Sequence, residues 1–185
     1  LIDVHVPHAL SEQPASMLLG FQTDADASDY GEERLLPILR ECDRTSPLLQ
    51  SLNRHAVRKD AIMLPGYSVY LRGANWSNFQ KISVRDVLLD EVWLYKHGLV
   101  AEARARTHDR WNQKVVILSQ GGTETFMTDL GEMETELHLA WTQTDQREWC
   151  FECPECKTVQ RFSWKMLRYD RGDPDDIDET AVVNS

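Results

Sequence analysis

The sequence predicts an α/β protein with a parallel sheet, followed by a small C-terminal β module. Short, continuous apolar runs alternate with segments that carry helix start signals. Runs of this kind are typical of strands that are buried on both faces of a parallel sheet. From Trp149 onward the sequence changes to cysteines, aromatic residues and short alternation. We therefore place a boundary near residue 145, which divides the chain into 1–145 and 146–185.

The composition limits the classes of function that the protein can have. The 185 residues carry 20 Lys and Arg against 30 Asp and Glu, a net charge of −10. This acidity argues against a protein that wraps nucleic acid through bulk charge, although a local basic patch remains compatible with DNA contact. No apolar run approaches the roughly 18 residues of a membrane span, and no signal peptide is recognisable. Three of the four cysteines cluster, which is typical of metal ligands in a reducing compartment.

The first half of the sheet domain begins with a buried strand at Ser16–Phe21. Thr23 then offers a helix N-cap, and the acidic residues that follow suit the positive end of a helix. Pro37 is expected to break this helix in two, because proline has no N–H to donate. Ser46-Pro47 begins another short helix by the same start signals.

The later elements follow from the same patterns. They are, in order, a β-hairpin formed by Ala61–Leu64 and Tyr67–Leu71, a buried strand at Val84–Leu89, a helix at Leu99–Thr107, a buried strand at Val115–Leu118, a mostly helical acidic segment at Thr123–Leu139 and a solvated acidic loop at Asp170–Glu179.

An acid pair follows one of the buried strands. Asp90 and Glu91 come directly after Val87-Leu88-Leu89. In parallel α/β sheets, ligands bind beyond the carboxyl ends of the strands. Phosphoanhydride hydrolysis needs one acid that holds Mg²⁺ and another that accepts a proton from the attacking water, so two adjacent acids suit it. The alternative is that the pair only ends a strand and begins a loop.

Two glycine-containing segments strengthen the first interpretation. The run Ser119-Gln120-Gly121-Gly122 follows the last buried strand, where glycines allow backbone to approach a phosphate and Ser119 or Gln120 could sense it. Arg72-Gly73-Ala74-Asn75 leaves the hairpin before the acid strand. A plain turn explains either segment equally simply.

Cys153-Pro154-Glu155-Cys156 has the spacing of a zinc knuckle between two short strands. Two thiolates at this spacing hold one Zn²⁺, whose tetrahedral site needs four ligands. Cys150 is a possible third ligand or a core residue, and His138 is a weaker candidate. A redox pair is disfavoured because that motif belongs to a strand-to-helix junction. Two buried thiols without metal are the remaining alternative.

Taken together, these segments resemble the ATPase part of the phage terminase large subunit, GpA family, over most of the chain. The order and spacing of six segments carry the resemblance. They are Gln22 to Ala27, Gly73-Ala74-Asn75, Leu88 to Val92, Ala101 to Arg104, Ile117-Leu118-Ser119, and Asp145 to Trp149 leading into the cysteine pair. The resemblance implies a RecA-like P-loop fold and an ATP-hydrolysing motor that packages viral DNA, with an endonuclease domain after it in the intact subunit.

The resemblance also implies roles for individual residues. Asp90 matches the Walker B acid that binds Mg²⁺, Glu91 the catalytic carboxylate, and Ser119 the coupling motif that senses ATP. Cys153 and Cys156 match half of a zinc ribbon that relatives build from two cysteine pairs. Implied partners are double-stranded viral DNA, the terminase small subunit, the portal protein and further copies of the chain, without a membrane. The implied location is the host cytoplasm.

The chain departs from the family pattern at three places. It contains no GxxxxGK[ST] loop, and its coupling segment reads Ser119-Gln120-Gly121 where relatives have Ser-Thr-Pro or Ser-Ser-Pro. The second cysteine pair of the zinc ribbon is expected to fall beyond Ser185. With Leu1 at the start and a strand-like end at Ala181–Ser185, we expect a fragment cut at both ends and inactive by itself. A degenerate prophage remnant is the alternative origin. The alternative function is a non-enzymatic, zinc-containing α/β protein that binds nucleic acid or another partner.

Overall fold

The computed structural model describes residues 1–120, 125–128 and 131–161. The chain divides into two compact units, Leu1–Trp141 and Thr142–Ser185. The functional division into 1–145 and 146–185 stays a prediction. Among the described residues, no helix is both long and apolar enough to cross a bilayer.

The elements of the first unit alternate between helices and strands. They are α1 (Ile2–Glu12), β1 (Met17–Phe21), α2 (Asp24–Asp29), a π-helical segment (Tyr30–Leu35), α3 (Leu36–Glu41), α4 (Ser46–Gln50), β2 (Ala61–Leu64), β3 (Tyr67–Gly73), α5 (Trp76–Phe79), β4 (Asp86–Leu89), a 3₁₀ turn (Val92–Leu94), α6 (Leu99–Ala105), β5 (Lys114–Ile117), β6 (Thr125–Thr128), β7 (Gly131–Glu134) and α7 (Glu136–Thr142), which ends at the boundary. The second unit contains β8 (Cys150–Glu152) and β9 (Val159–Arg161).

A five-stranded sheet in the order β2-β3-β1-β4-β5 forms the centre of the first unit. β1 pairs in parallel with β3 and β4, and β4 pairs in parallel with β5. β2 is antiparallel to β3, so that Pro65-Gly66 makes the predicted hairpin turn. The expected α/β fold with a mostly parallel sheet is therefore confirmed. The remaining pairs, β6 with β7 and β8 with β9, form separate antiparallel hairpins.

Apolar cores cover both faces of this sheet. On one face, Met17, Leu19 and Phe21 of β1 pack in the cluster that contains α1 and α3 residues. On the other, Leu18 lies in the cluster that contains α6 residues. This alternation within a continuous apolar run is the property that a strand between two helical layers requires. β5 is less buried than predicted, because it is the last strand in the order and its side chains are only half covered.

The helix after β1 corrects one expectation. Pro37 does not break the helix, which continues through α2, the π-helical segment and α3. In the π-helical segment the Leu36 N–H reaches back to the carbonyl of Gly31, five residues earlier. Because proline lacks an N–H and its ring crowds the carbonyl four residues before it, the wider turn accommodates Pro37 without ending the helix.

The helical prediction for Thr123–Leu139 is wrong for most of its length. Residues Thr125–Thr128 and Gly131–Glu134 form the hairpin of β6 and β7, and only the segment from Glu136 is helical. Gly131 has φ +111°, a backbone conformation that a right-handed helix excludes. Threonine and phenylalanine in β6 also favour strands over helices.

A buried carboxylate connects α7 to the start of α6. Glu136 is 6% exposed, and its two oxygens accept hydrogen bonds from the N–H groups of Gly98 (2.7 Å) and Val100 (3.1 Å). His97 Nδ1 lies 3.2 Å from the same carboxylate. The first N–H groups of a helix have no partner within the helix, and a negative charge suits that end. Glu136 therefore caps α6 from a distant segment of the chain.

Replacing Glu136 with alanine should lower the free energy of unfolding by about 1–3 kcal/mol, since two buried N–H groups lose their acceptor. Urea unfolding of the whole chain would measure this. Glu134→Ala is the matched control, because Glu134 is exposed and precedes Glu136 by two residues. Equal losses in the two variants would contradict the capping role.

Candidate functional site

Four loops meet at one edge of the sheet. β1, β3, β4 and β5 are parallel, so their carboxyl ends lie side by side. The residues that follow these ends are 22–24, 74–78, 90–95 and 118–120. They include most of the residues that the sequence marked for nucleotide chemistry. Gly121 and Gly122 of the predicted coupling loop, and the acidic loop 170–179, lie outside the described residues.

Asp90 begins the loop after β4. Its N–H donates to the carbonyl of Gly20 on β1 (2.9 Å), which holds the backbone of Asp90 against the central strand. The side chain is half-buried. Burial, and then the neighbouring Glu91 carboxylate, raise the pKa of Asp90 above its usual value. The position is therefore short of positive charge.

Glu91 has an unusual backbone and a well-defined side chain. Its φ of 53° and ψ of 43° lie in the left-handed region, which few residues other than glycine adopt without strain. The indole Nε1–H of Trp93 donates to Glu91 Oε2 at 2.6 Å, and Gln120 Nε2 lies 3.5 Å from the same oxygen. The Glu91 carboxylate thus lies close to Gln120, which follows β5.

Ser119 lies beside the acid pair, as its position after the neighbouring strand predicts. The N–H of Trp93 donates to Ser119 Oγ at 3.2 Å. Trp93 therefore contacts Ser119 through its backbone and Glu91 through its indole. Sequence reasoning missed Trp93; its position two residues after the acid pair was the available signal. The catalytic and coupling roles of these residues stay predictions.

A second polar network joins the ends of β1 and β3. Asp24 Oδ1 accepts from the N–H of Gly73 (2.8 Å) and from Asn78 Nδ2 (2.7 Å). A Cβ on Gly73 would lie 2.3 Å from the backbone nitrogen of Asp24. Close approach of two backbones, and not a turn, is therefore what requires glycine here. Thr23 and Asp26 form a reciprocal capping box that begins α2, so the predicted N-cap is confirmed.

In the second unit, Cys153 and Cys156 lie on the turn between β8 and β9. The Cys153 N–H donates to the carbonyl of Thr158 (3.0 Å). Hydrogen bonding, first with Thr158 and then with Cys153, lowers the pKa of the exposed Cys156 thiol to about 7. Within the described ranges, no three His, Cys, Asp or Glu side chains group as metal ligands. Cys150 is exposed and does not pack into a core, and its Sγ lies 3.7 Å from the Glu148 carbonyl.

The raised pKa of Asp90 predicts a pH-dependent stability. Because the carboxyl binds its proton more tightly in the folded chain, stability is lost as the pH rises from the unfolded value, about 3.9, through the folded value. Asp90→Asn should therefore raise the urea midpoint at pH 7, and the gain should vanish well below pH 4. Asp109→Asn, at an exposed position, is the control. A gain that persists unchanged in acid would contradict the charge argument.

Comparison with known proteins identifies a family for the chain. The family model described as "Phage terminase large subunit gpA, ATPase domain" matches residues 1–184. No curated protein sequence matches the chain.

Similar solved structures are large terminases of phages. The large terminase of a thermophilic bacteriophage has 18% identity and a TM-score of 0.43, over 63% of this chain and 29% of that chain. The large terminase ATPase domain of a Thermus phage has 16% identity and a TM-score of 0.46, over 65% of this chain and 55% of that chain. The chain thus corresponds to less than two thirds of either protein. The family model, which spans nearly all 185 residues, shows that this chain belongs to the ATPase domain family of the phage terminase large subunit.

Proposed function

We propose that this chain supplies the hydrolytic acids and the ATP-sensing loop of a RecA-like P-loop ATPase that packages viral DNA. One observation carries the proposal. Glu91, the second of the two acids that follow β4, and Ser119, which follows β5, are connected through a single residue, Trp93, at the carboxyl edge of a parallel sheet. This is the edge at which open α/β sheets bind ligands.

Asp90 suits the role of the metal-binding acid. Burial, and then the neighbouring Glu91 carboxylate, raise the pKa of Asp90, and a divalent cation would favour its charged form. Asp90 would hold Mg²⁺, which when bound would neutralise charge on the transferred phosphoryl group. The hydrogen bond from the Asp90 N–H to Gly20 holds this acid at a fixed distance from β1. Catalysis of phosphoryl transfer depends mostly on positioning of this kind.

Glu91 suits the role of general base. Its carboxylate is only partly buried and is oriented by the Trp93 indole. A base held in this way accepts a proton from a water molecule aligned with the γ-phosphate. Ser119 would sense the nucleotide from the neighbouring strand and, through Trp93, alter the orientation of Glu91. Motion of the Ser119 loop and activation of water would thereby be coupled.

The phosphate cradle is the part of this chemistry that the sequence does not contain. The 185 residues include no GxxxxGK[ST] loop, whose lysine and backbone amides hold the β- and γ-phosphates. Without them, Asp90 and Glu91 repel a triphosphate. The chain by itself should therefore not hydrolyse ATP, and the activity belongs to a subunit that combines it with such a loop.

Glu91→Gln should abolish turnover and retain ATP binding in that subunit, because the amide is nearly isosteric but cannot take a proton. The rate should fall by about 10²-fold or more. Asp90→Ala should instead weaken Mg²⁺-dependent binding. Phosphate release and nucleotide affinity measured on the same samples distinguish the two effects. Glu102→Gln, a carboxylate on α6, is the matched control. Undiminished turnover by Glu91→Gln would remove Glu91 from the mechanism.

The wider assembly follows from family membership. We infer double-stranded viral DNA as the translocated substrate, and the terminase small subunit, the portal protein and further copies of the subunit as partners, in the host cytoplasm. An endonuclease domain would act in the same large subunit. The alternative of a non-enzymatic binding protein predicts that restoring a P-loop creates no ATPase activity.

We also propose that Cys153 and Cys156 supply two ligands of a structural Zn²⁺ in a zinc-ribbon-like module. They occupy the turn of a hairpin, and Lys157 after them has φ +60°, which turns the chain sharply around the two thiols. Two sulfurs fit half of a tetrahedral site, and the other two ligands would come from outside the described residues. Zn²⁺ when bound would crosslink the module.

The zinc proposal is tested with Co²⁺, whose thiolate complexes absorb light. The whole chain should develop a thiolate-to-metal band that Cys153→Ser and Cys156→Ser each remove, while Cys42→Ser leaves it intact. Zn²⁺ should displace Co²⁺. A band that survives loss of Cys153 would contradict the assignment.

A further inference from the structure

A polar cleft lies at the edge of the sheet opposite the acid pair. Its volume is about 310 Å³. Ser16 precedes β1, Tyr67 begins β3, Arg85 precedes β4, and Arg110 and Asn112 precede β5. All five line the cleft and lie at the amino ends of the parallel strands. Strands of four to five residues, at about 3.3 Å a residue, separate the cleft from Asp90 by roughly 15 Å.

The lining of this cleft is rich in hydrogen-bond donors and lacks carboxylates. Two guanidinium groups, a hydroxyl, a phenol and a side-chain amide line it, and none of the lining residues is Asp or Glu. Acidic residues outnumber basic ones by 30 to 20 in the whole chain. A concave surface from which acids are excluded in so acidic a protein points to an anionic ligand.

Arg85 is built into the floor of the cleft. Its side chain is 8% exposed, and its Nε and Nη2 donate to the two oxygens of the fully buried Asp86, both at 2.7 Å. The backbone N–H of Arg85 donates to the Ser16 carbonyl (2.9 Å). Its remaining nitrogen, Nη1, has no hydrogen-bond partner among the residues that the structure describes. A planar guanidinium held on one side by a carboxylate keeps its other donors at a fixed orientation.

Arg110 gives the lining of the cleft its net positive charge. Asp86 balances Arg85, whereas Arg110 is exposed and forms no ion pair within the described part of the chain. Ser16 Oγ accepts from the Ser68 N–H (3.1 Å), an arrangement that leaves its hydroxyl hydrogen available to a ligand. One buried and one exposed guanidinium, together with the Ser16 hydroxyl, provide donors for the several oxygens of a tetrahedral anion.

We propose that this cleft binds a phosphate group. Arg85 is the rigid hydrogen-bond donor, and Arg110 supplies the positive charge that attracts the anion. The group could belong to a free phosphate compound or to the backbone of DNA, because both present the same tetrahedral oxygens. The proposal is independent of the ATPase assignment, since no residue of the cleft belongs to the acid pair or its loops.

The test uses the whole chain and titration with inorganic phosphate, followed by amide and side-chain N–H shifts in ¹H–¹⁵N spectra. Shifts should concentrate at Gly66, Asn112 and the Arg85 side chain, and sulfate should compete. Arg110→Ala should weaken binding about tenfold or more, the expected loss for a charge-assisted hydrogen bond. Arg40→Ala removes the same charge from an exposed position on α3 outside the cleft and should leave the affinity unchanged.

A second titration uses a short duplex DNA. If DNA produces the same shifts and the same dependence on Arg110, the ligand is the nucleic acid backbone; if only inorganic phosphate does, it is a small phosphate compound. Equal effects of Arg110→Ala and Arg40→Ala would overturn the proposal, because bulk charge would then explain the binding. Shifts spread over the surface, or none in either titration, would also overturn it. Arg110 is substituted because removing Arg85 would leave the buried Asp86 with only the His5 ring nearby, whose Nε2 lies 3.8 Å from Asp86 Oδ2.

Discussion

The parallel pairing of β1 with β3 and β4 is the constraint on which the rest of the first unit depends. β1 is buried along its whole length, and its hydrogen bonds on both sides set the register of its neighbours. Parallel pairing brings the carboxyl ends of strands far apart in sequence to one edge. Gly20 in β1 allows close packing, because a Cβ there would lie 2.7 Å from Leu89 and 3.1 Å from the Tyr95 hydroxyl. The packing of Leu89 and Tyr95 against β1 therefore requires a residue without a side chain at position 20.

The carboxylates at the two edges of the sheet differ in how their charge is compensated. At the amino edge, Asp86 is fully buried and two guanidinium nitrogens satisfy it. At the carboxyl edge, Asp90 is partly buried beside a second carboxylate, and its pKa is raised. A compensated pair stabilises the native arrangement when both members are present, whereas an uncompensated acid costs stability and has affinity for a cation. The difference supports the proposed assignment of metal-dependent chemistry to the acid pair and not to the more deeply buried Asp86.

Trp93 and Glu136 give the loop after β4 its definite shape. Trp93 connects Glu91 to Ser119 at one end of the loop, and Glu136 holds Gly98 and Val100 at the other. The segment between the acids and α6 is therefore attached to the end of β5 and to α7. In the proposed function, movement of the Ser119 attachment would change the orientation of Glu91 and so couple nucleotide state to mechanical work.

The sequence by itself determined the five strands of the main sheet, the hairpin at Pro65-Gly66, the acid pair after β4 and the family. These features depend on local apolar runs, turn residues and short motifs. It predicted neither the β6–β7 hairpin nor the continuous helix through Pro37. The acidic composition of residues 123–139 led to the prediction of a helix there. No local sequence signal marks the π-helical segment before Pro37. The contacts of Trp93, the cap by Glu136 and the cleft at Arg85 were decided only by the tertiary structure. The Trp93–Ser119 contact, the cap and the cleft each join residues that are at least 25 positions apart or near the ends of different strands. A polar side chain's partner across such a separation is set by strand order and register, which a linear pattern does not encode.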